Sequence, residues 1–265
     1  MIDMKVGYIQ TYPVFGEKKK NFEQVNSLIF NKRADILVLP ELFATGYNFT
    51  SKREANDLAE KTEGMTAEFM KDLAKKTKSL VIGGYIEKYK DNLYNSAMMV
   101  SEKGIEGNYR KIHLYYKEKL WFNHGDLPLE VYQFKEVNIG VMICFDWFFP
   151  EMVRSLALLN ADIIAHPANL VLPYCQNAMI TRCLENKVYA ITSNRIGAEK
   201  RGKDNFQFTG KSQITSYDGK VLSSAPEDEI FIDIVDIELE NVRDKFINTY
   251  NNIFEDRRTA LYKTK

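Results

Sequence analysis

Short apolar runs alternate with amphipathic stretches along nearly the whole chain, and the period of each run assigns it an element. Lys5–Gln10 reads as a strand, and Asn21–Lys32 as a helix with Phe22, Val25, Leu28 and Ile29 on one face. Ile36–Leu39 is a wholly apolar strand stopped by Pro40, which lacks the N–H a ladder needs. A helix over Ala67–Lys76 leads into another apolar strand, Leu80–Tyr85. Leu93–Val100 and Ile105–Tyr109 flank Glu102, Lys103 and Gly104 and read as a hairpin. Val137–Ile143 is the next central strand, and a helix over Glu151–Leu159 follows, with Pro150 suited to its first turn. Strand Ile163–Ala165, helix Ala178–Asn186 and strand Tyr189–Thr192 come next. A hairpin then pairs Gln213–Thr215 with Val221–Ser223 around Tyr217, Asp218 and Gly219.

βα units mixed with hairpins predict one α/β domain holding a mixed sheet, or two sheets between helical layers. No internal repeat, low-complexity tract or Pro/Gly/Ser linker divides residues 1–265. From Tyr250 onward, Phe254, Leu261 and Tyr262 stand among charges and are more apolar than a solvated tail needs. The tail, about 250–265, is therefore expected to pack on something, a second subunit being the natural candidate.

Composition narrows the picture only by exclusion. Hydrophobic residues make up 45% and charged residues 27%, a globular balance rather than a disordered one. The 36 basic and 36 acidic side chains cancel, so net charge gives no reason to expect nucleic acid or an anionic membrane as partner. Met1 to Lys5 lacks a basic, signal-type apolar start, and no apolar run approaches membrane-spanning length. The chain reads as soluble, untargeted and cytoplasmic. Its three cysteines, Cys144, Cys175 and Cys183, are odd in number and form no C-x-x-C, which disfavours a disulfide framework and a zinc site. Each is then a small core filler or a nucleophile.

The chemistry is expected where buried strands end, because loops leaving the carboxyl ends of strands form the crevice of α/β sheets. The run from Asp35 ends on the carboxylate of Glu41, that from Val137 on the thiol of Cys144, and that from Asp162 on the amide of Asn169. A fourth segment, Gly107 to His113, delivers Lys111 just after a short strand. Taken singly, Glu41 reads as the start of a surface loop and Lys111 as one solvated charge among many. Cys144 lies at a strand-to-helix junction, where a helix beginning near Pro150 lends some positive field. His113, His124 and His166 are structural in the plain reading, yet they keep a Cys–His dyad open.

The combination is more telling. Pro40-Glu41-Leu42-Phe43, Tyr109-Arg110-Lys111-Ile112-His113-Leu114, Ile143-Cys144-Phe145-Asp146 and Phe149-Pro150-Glu151 together resemble the nitrilase superfamily of carbon–nitrogen hydrolases. Gly46-Tyr47, Asn95-Ser96, His166-Pro167-Ala168-Asn169, Glu185-Asn186, Ser193-Asn194-Arg195 and Gly210-Lys211-Ser212 extend the resemblance over nearly the whole chain, nearest to the small archaeal-type nitrilases. The resemblance implies a four-layer αββα sandwich, dimerising into an αββα–αββα unit. It implies Cys144 as nucleophile, Glu41 as proton acceptor and Lys111 as oxyanion stabiliser. Glu118, ahead of Trp121, Phe122 and Gly125, matches a second, supporting glutamate. No metal and no organic cofactor is called for.

Substrate is expected to be a small neutral amide or nitrile. The segment after the nucleophile, Phe145 to Phe149, is aromatic apart from Asp146 and has no arginine for a substrate carboxylate. Phe145, Trp147, Asn169 and Tyr47 are the expected substrate-binding residues, and Arg182 and Arg195 the visible cations, both readable as structural ion pairs. Hydrolysis of carbamoyl amines or carbamoyl amino acids is the alternative activity. A silent binding module built on the same sandwich is the alternative of another class, and the intact Glu41, Lys111 and Cys144 speak against it.

Overall fold

The computed structural model describes residues 3–263; Met1, Ile2, Thr264 and Lys265, at the ends of the start and tail segments read above, lie outside them. Two six-stranded mixed sheets form the frame. The first is built from β1 (Asp3–Gln10), β2 (Ile36–Val38), β3 (Leu80–Tyr89), β4 (Asn92–Ser101) and β5 (Gly104–Arg110), and is completed at its edge by β14 (Phe231–Glu238). The second joins β6 (Val131–Phe134), β7 (Val137–Val141), β8 (Ile163–Pro167), β9 (Tyr189–Ser193), β12 (Gln213–Thr215) and β13 (Val221–Ser224). A separate hairpin, β10 (Ala198–Arg201) with β11 (Asp204–Gln207), stands outside both.

Each sheet has the same plan. Three central strands run parallel, β1–β2–β3 in one and β7–β8–β9 in the other, with antiparallel strands on both flanks. Parallel neighbours need crossover helices. These are α1 (Lys18–Leu28) and α3 (Met65–Thr77) on the first sheet, and α5 (Pro150–Leu158) and α6 (Cys175–Asn186) on the second. Two short helices, α2 (Lys52–Leu58) and α4 (Glu118–Trp121), lie within loops.

Strand alternation decides which layer each side chain joins. Val6, Tyr8, Ile36, Val38, Ile82, Ala97 and Met99 turn inward and share one core with Val137, Ile139 and Ile163 of the second sheet. Ile9, Leu37, Val81, Met98 and Val100 point the other way and pack under Phe22, Val25, Met70 and Leu73 of α1 and α3. Met152, Val153, Leu156, Met179 and Cys183 close the far side from α5 and α6. The layers are therefore helix, sheet, sheet, helix: the αββα sandwich. Cutting a central side chain such as Leu37 to alanine should cost about 2–5 kcal/mol, since it is wholly enclosed.

Some boundaries differ from the sequence reading. The first helix spans Lys18–Leu28 rather than Asn21–Lys32, because Asn31 takes a left-handed φ of 56° and breaks the turn. β8 runs on through His166 and Pro167, whose missing N–H is tolerated because the parallel ladder to Ser193 continues around it. Phe254 of the tail packs against the core of its own chain, under Arg154 at 5.1 Å, while Leu261 and Tyr262 stay exposed. Among the described residues, no helix is long and apolar enough to cross a membrane.

Candidate active site

The four strand exits named from the sequence converge at one end of the sandwich. Glu41 follows β2 and Pro40, where the chain leaves the sheet and rests on β3 at Gly84. A Cβ on Gly84 would sit 2.5 Å from Leu42 N and 2.6 Å from the Glu41 Cα, so this approach requires glycine. Lys111 is one residue past β5, and its own backbone is gripped from both sides. Its N–H donates to Asn95 O at 2.8 Å, and its carbonyl accepts from Gly125 N at 2.8 Å. A Cβ at Gly125 would meet Arg110 O at 2.1 Å.

Cys144 opens a 3-10 turn, Cys144–Phe148, directly after the apolar β7 run. Its φ is +42°, a left-handed value that costs a non-glycine residue about 1–2 kcal/mol. Leu42, next to Glu41, and Tyr116, two residues before Glu118, share this conformation at φ 47° and 48°. Strain of this kind gathers where function needs an otherwise disfavoured geometry. Asp146 holds the Cys144 turn. One carboxylate oxygen accepts from Ile143 N at 2.8 Å and Tyr109 OH at 2.7 Å, and the other from His113 N at 3.1 Å. His113 Nδ1 lies 2.7 Å from that second oxygen. Asp146 thereby ties the Cys144 turn to the Tyr109–His113 segment that carries Lys111.

The charged groups form a fully buried cluster. Lys111 Nζ donates to Glu41 Oε1 at 2.7 Å and to Glu118 Oε1 at 2.8 Å. Asn95 Nδ2 donates to the same Glu41 oxygen at 2.7 Å. Among the described residues, the other oxygen, Glu41 Oε2, is buried without a hydrogen-bond partner. Burial works against the Lys111 charge, but Glu118 and Glu41 outweigh it and hold the ammonium above its ordinary range. Burial also lifts Glu118, against the pull of Lys111, to about 7. Burial and the Glu41 carboxylate push the Cys144 thiol well up, so at neutral pH it rests protonated.

Beside Cys144 lies a narrow crevice of about 10 Å³, walled by Tyr115, Phe145, Trp147, Asn169 and Leu170 to Leu172. Asn169 is 2% exposed, and neither its Oδ1 nor its Nδ2 has a partner among the described residues. Of the residues expected to bind substrate, Phe145, Trp147 and Asn169 line the wall beside Cys144. Tyr47 does not. Its hydroxyl donates to Glu118 Oε1 at 2.7 Å, and its ring faces a different crevice shared with Tyr116, Trp121 and Phe206.

Among the described residues, no cation joins the crevice wall. Arg182 pairs with Glu185 at 3.2 Å on α6, and Arg195 is buried against Glu199 and the Phe208 ring. The histidines are also otherwise engaged. His166 Nε2 lies 3.0 Å from the Cys144 carbonyl and its Nδ1 3.1 Å from Thr192 Oγ1, while His113 stacks on Phe149. His124 Nδ1 faces the Ile112 carbonyl at 2.9 Å. These bonds go to main chain, hydroxyl and carboxylate rather than to the Cys144 sulfur, which leaves the Cys–His dyad without geometric support. The sequence reading missed Asp146 and Asn95 as supports, although both stand inside quoted motifs.

The sequence matches the family described as carbon–nitrogen hydrolase over residues 5–245. It is 48% identical to the nitrilase of Pyrococcus abyssi over 263 residues, covering 98% of this chain and 99% of that one. It is 29% identical to an (R)-stereoselective amidase of Pseudomonas sp, covering 97% of this chain and 93% of the relative. The fold superposes on the crystal structure of a carbon-nitrogen hydrolase from Helicobacter pylori G27 with a TM-score of 0.87 at 26% identity, covering 98% and 97% of the two chains.

Proposed function

The chain belongs to the carbon–nitrogen hydrolase family, and we propose that Cys144 attacks a small neutral amide or nitrile with Glu41 as its base and Lys111 as its oxyanion stabiliser. The observation that carries this reading is the unpartnered, buried Glu41 Oε2 in the same cluster as the thiol. Because the thiol is protonated at rest, attack and proton transfer go together. Cys144 Sγ bonds to the carbon as its proton passes to Glu41. With an amide, the tetrahedral oxyanion forms near Lys111 and collapses. Glu41 returns the proton to the nitrogen, ammonia leaves, and a thioester remains. Water, deprotonated by Glu41, then releases the acid and restores the thiol. A nitrile passes through a thioimidate, which takes up one water before ammonia departs.

Lys111 is already ionised and fixed by two carboxylates, so it meets the developing charge without reorganising. One such donor is worth about 2.7–4 kcal/mol in the transition state. The Phe145 N–H is the proposed second donor, and Glu118 supports the cluster by sharing Lys111. Neutral substrates are favoured because a carboxylate in the aromatic crevice would lose hydration, with no cation among the described residues on its wall to compensate. Asn169, with donor and acceptor both unspent, suits an amide or nitrile nitrogen.

The same reading takes residues 1–265 as one catalytic domain, acting in the cytoplasm, where free thiols persist. Two copies pair through a surface that includes the exposed Leu261 and Tyr262. The test of function is ammonia release from matched neutral amides, nitriles and carbamoyl amino acids. A higher kcat/KM for the carboxylated compounds would overturn the neutral-substrate reading and leave the cysteine mechanism standing.

A further inference from the structure

We propose that Tyr47 is a positioning residue that acts through Glu118, holding that carboxylate against Lys111 and setting when it carries a proton. The inference rests on the site assignment above and deepens it. Tyr47 is buried, and its hydroxyl donates to the same Glu118 oxygen that accepts from Lys111 Nζ, at 2.7 and 2.8 Å. The other Glu118 oxygen accepts from Tyr115 N at 3.0 Å. Glu118 thus has one charged donor, one neutral main-chain donor and one phenol. Only the phenol can be removed without touching the charge or the backbone.

Tyr47 is itself held by a device that has no other evident task. Its N–H and that of Asn48 donate to Glu199 Oε2 at 3.0 and 2.7 Å, and Asn48 Nδ2 donates to Glu199 O at 3.1 Å. Glu199, on β10 outside both sheets, is paired with the fully buried Arg195. Arg195 in turn donates to Pro13 O at 3.1 Å and lies over the Phe208 ring at 4.0 Å. A buried ion pair contributes little net stability, because desolvation offsets its attraction. What this pair does is fix the main chain of Tyr47, whose ring is clasped edge-on by Phe206 and Phe208 at 5.5 and 6.0 Å. The phenol stays protonated, since burial and then Glu118 and Glu41 raise its titration well above the ordinary value, so it is a fixed donor.

A donor to a carboxylate favours the charged form, so removing it makes the carboxylate easier to protonate. The groups facing Glu118 are Lys111 from the β5 exit, Glu41 from the β2 exit and Tyr47; Cys144 and the Tyr115 phenol complete the cluster. The experiment follows the rate of Cys144 alkylation by iodoacetamide from pH 5 to 9, by mass spectrometry, in the full chain. In the wild type the rate should bend where Glu118, lifted by burial to about 7, ionises beside the thiol. Tyr47→Phe keeps the ring, and its bend should move up by about one pH unit. Fluorotyrosine at position 47, a stronger donor, should move it down. Coincident profiles, or a uniform slowing with the bend in place, overturn the inference and leave the nucleophile assignment intact. Labelling of Cys175 or Cys183 in place of Cys144 overturns the assignment and the inference together.

Discussion

His166 offers a quantitative test of how tightly the Cys144 turn is built into the sandwich. Its ring is wholly buried in β8, with one nitrogen on the Cys144 carbonyl and the other on Thr192 Oγ1. Burial, reinforced by the Lys111 charge and opposed by the Cys144 carbonyl and Asp146, lowers its pKa from 6.5 to about 4. A histidine depressed in the fold contributes stability that is fully present above its unfolded pKa. That stability is lost as pH falls through the folded one. The window is therefore about pH 6.5 to 4. A gap of about 2.5 units makes the loss relative to neutral pH about 2 kcal/mol at pH 5 and about 3 kcal/mol at pH 4.

Other groups titrate over the same range. Glu118, raised to about 7, contributes stability present at acid pH and lost as pH rises, the opposite sign. The measurement is accordingly a difference. Urea unfolding free energies of the wild type and of His166→Gln are compared at pH 7, 5 and 4. Gln keeps an N–H for the Cys144 carbonyl and has no charge to gain. The wild type should lose about 2 kcal/mol more than the variant between pH 7 and pH 5. Parallel pH dependences would refute the argument, as would an NMR titration showing the His166 ring protonated above pH 6.

Three further outcomes are expected. Cys144→Ala abolishes ammonia release while Cys175→Ala and Cys183→Ala retain most of it, since only Cys144 stands beside the Glu41–Lys111–Glu118 cluster; activity in the first variant sinks the mechanism. Gly125→Ala forces its Cβ to 2.1 Å from Arg110 O and shifts the backbone that presents Lys111. Its kcat should fall at least tenfold with secondary structure intact by circular dichroism, and an unchanged kcat would show that the Lys111 backbone tolerates the shift. Light scattering at micromolar concentration should give at least twice the mass of one chain, and a monomer would remove the exposed tail residues Leu261 and Tyr262 from any subunit interface.

What could be read in the sequence is what local pattern encodes. An apolar run that stops at a polar residue marks a strand exit, which made Glu41, Cys144 and Asn169 candidates, while the catalytic roles of Glu41, Lys111 and Cys144 came only with the resemblance to the nitrilase superfamily. βα units mixed with hairpins left one mixed sheet or two packed sheets open, and the αββα sandwich was what the resemblance to the nitrilase superfamily implied. Less legible were elements without an apolar face to announce them. β10 and β11 carry no apolar alternation, yet Glu199 is buried there because Arg195 and the Tyr47–Asn48 backbone meet it. The sequence reading allowed a structural ion pair at Arg195 but could not name Glu199 as its partner.

Least legible was the division of labour inside the cluster, because it depends on contacts between distant segments. Asp146 binds Tyr109 across 37 positions, and Glu199 binds Tyr47 across 152. Lys111 lies between two carboxylates, and the pairing of β4 with both β3 and β5 brings Asn95 beside it and to Glu41. That second donor to Glu41 matters. With Lys111 and Asn95 both on Oε1, Glu41 is left with one occupied oxygen and one unspent oxygen. A carboxylate whose two oxygens are so unequal can stay fixed to its cation through one while exchanging a proton through the other. A glutamate with both oxygens paired would have to break a bond first. Asn95→Ala therefore frees Glu41 to turn about its remaining tie to Lys111, and the loss should appear in kcat rather than in KM, because Asn95 is absent from the crevice wall. A rise in KM at constant kcat would mean that Asn95 meets substrate, and that the asymmetry of Glu41 is incidental.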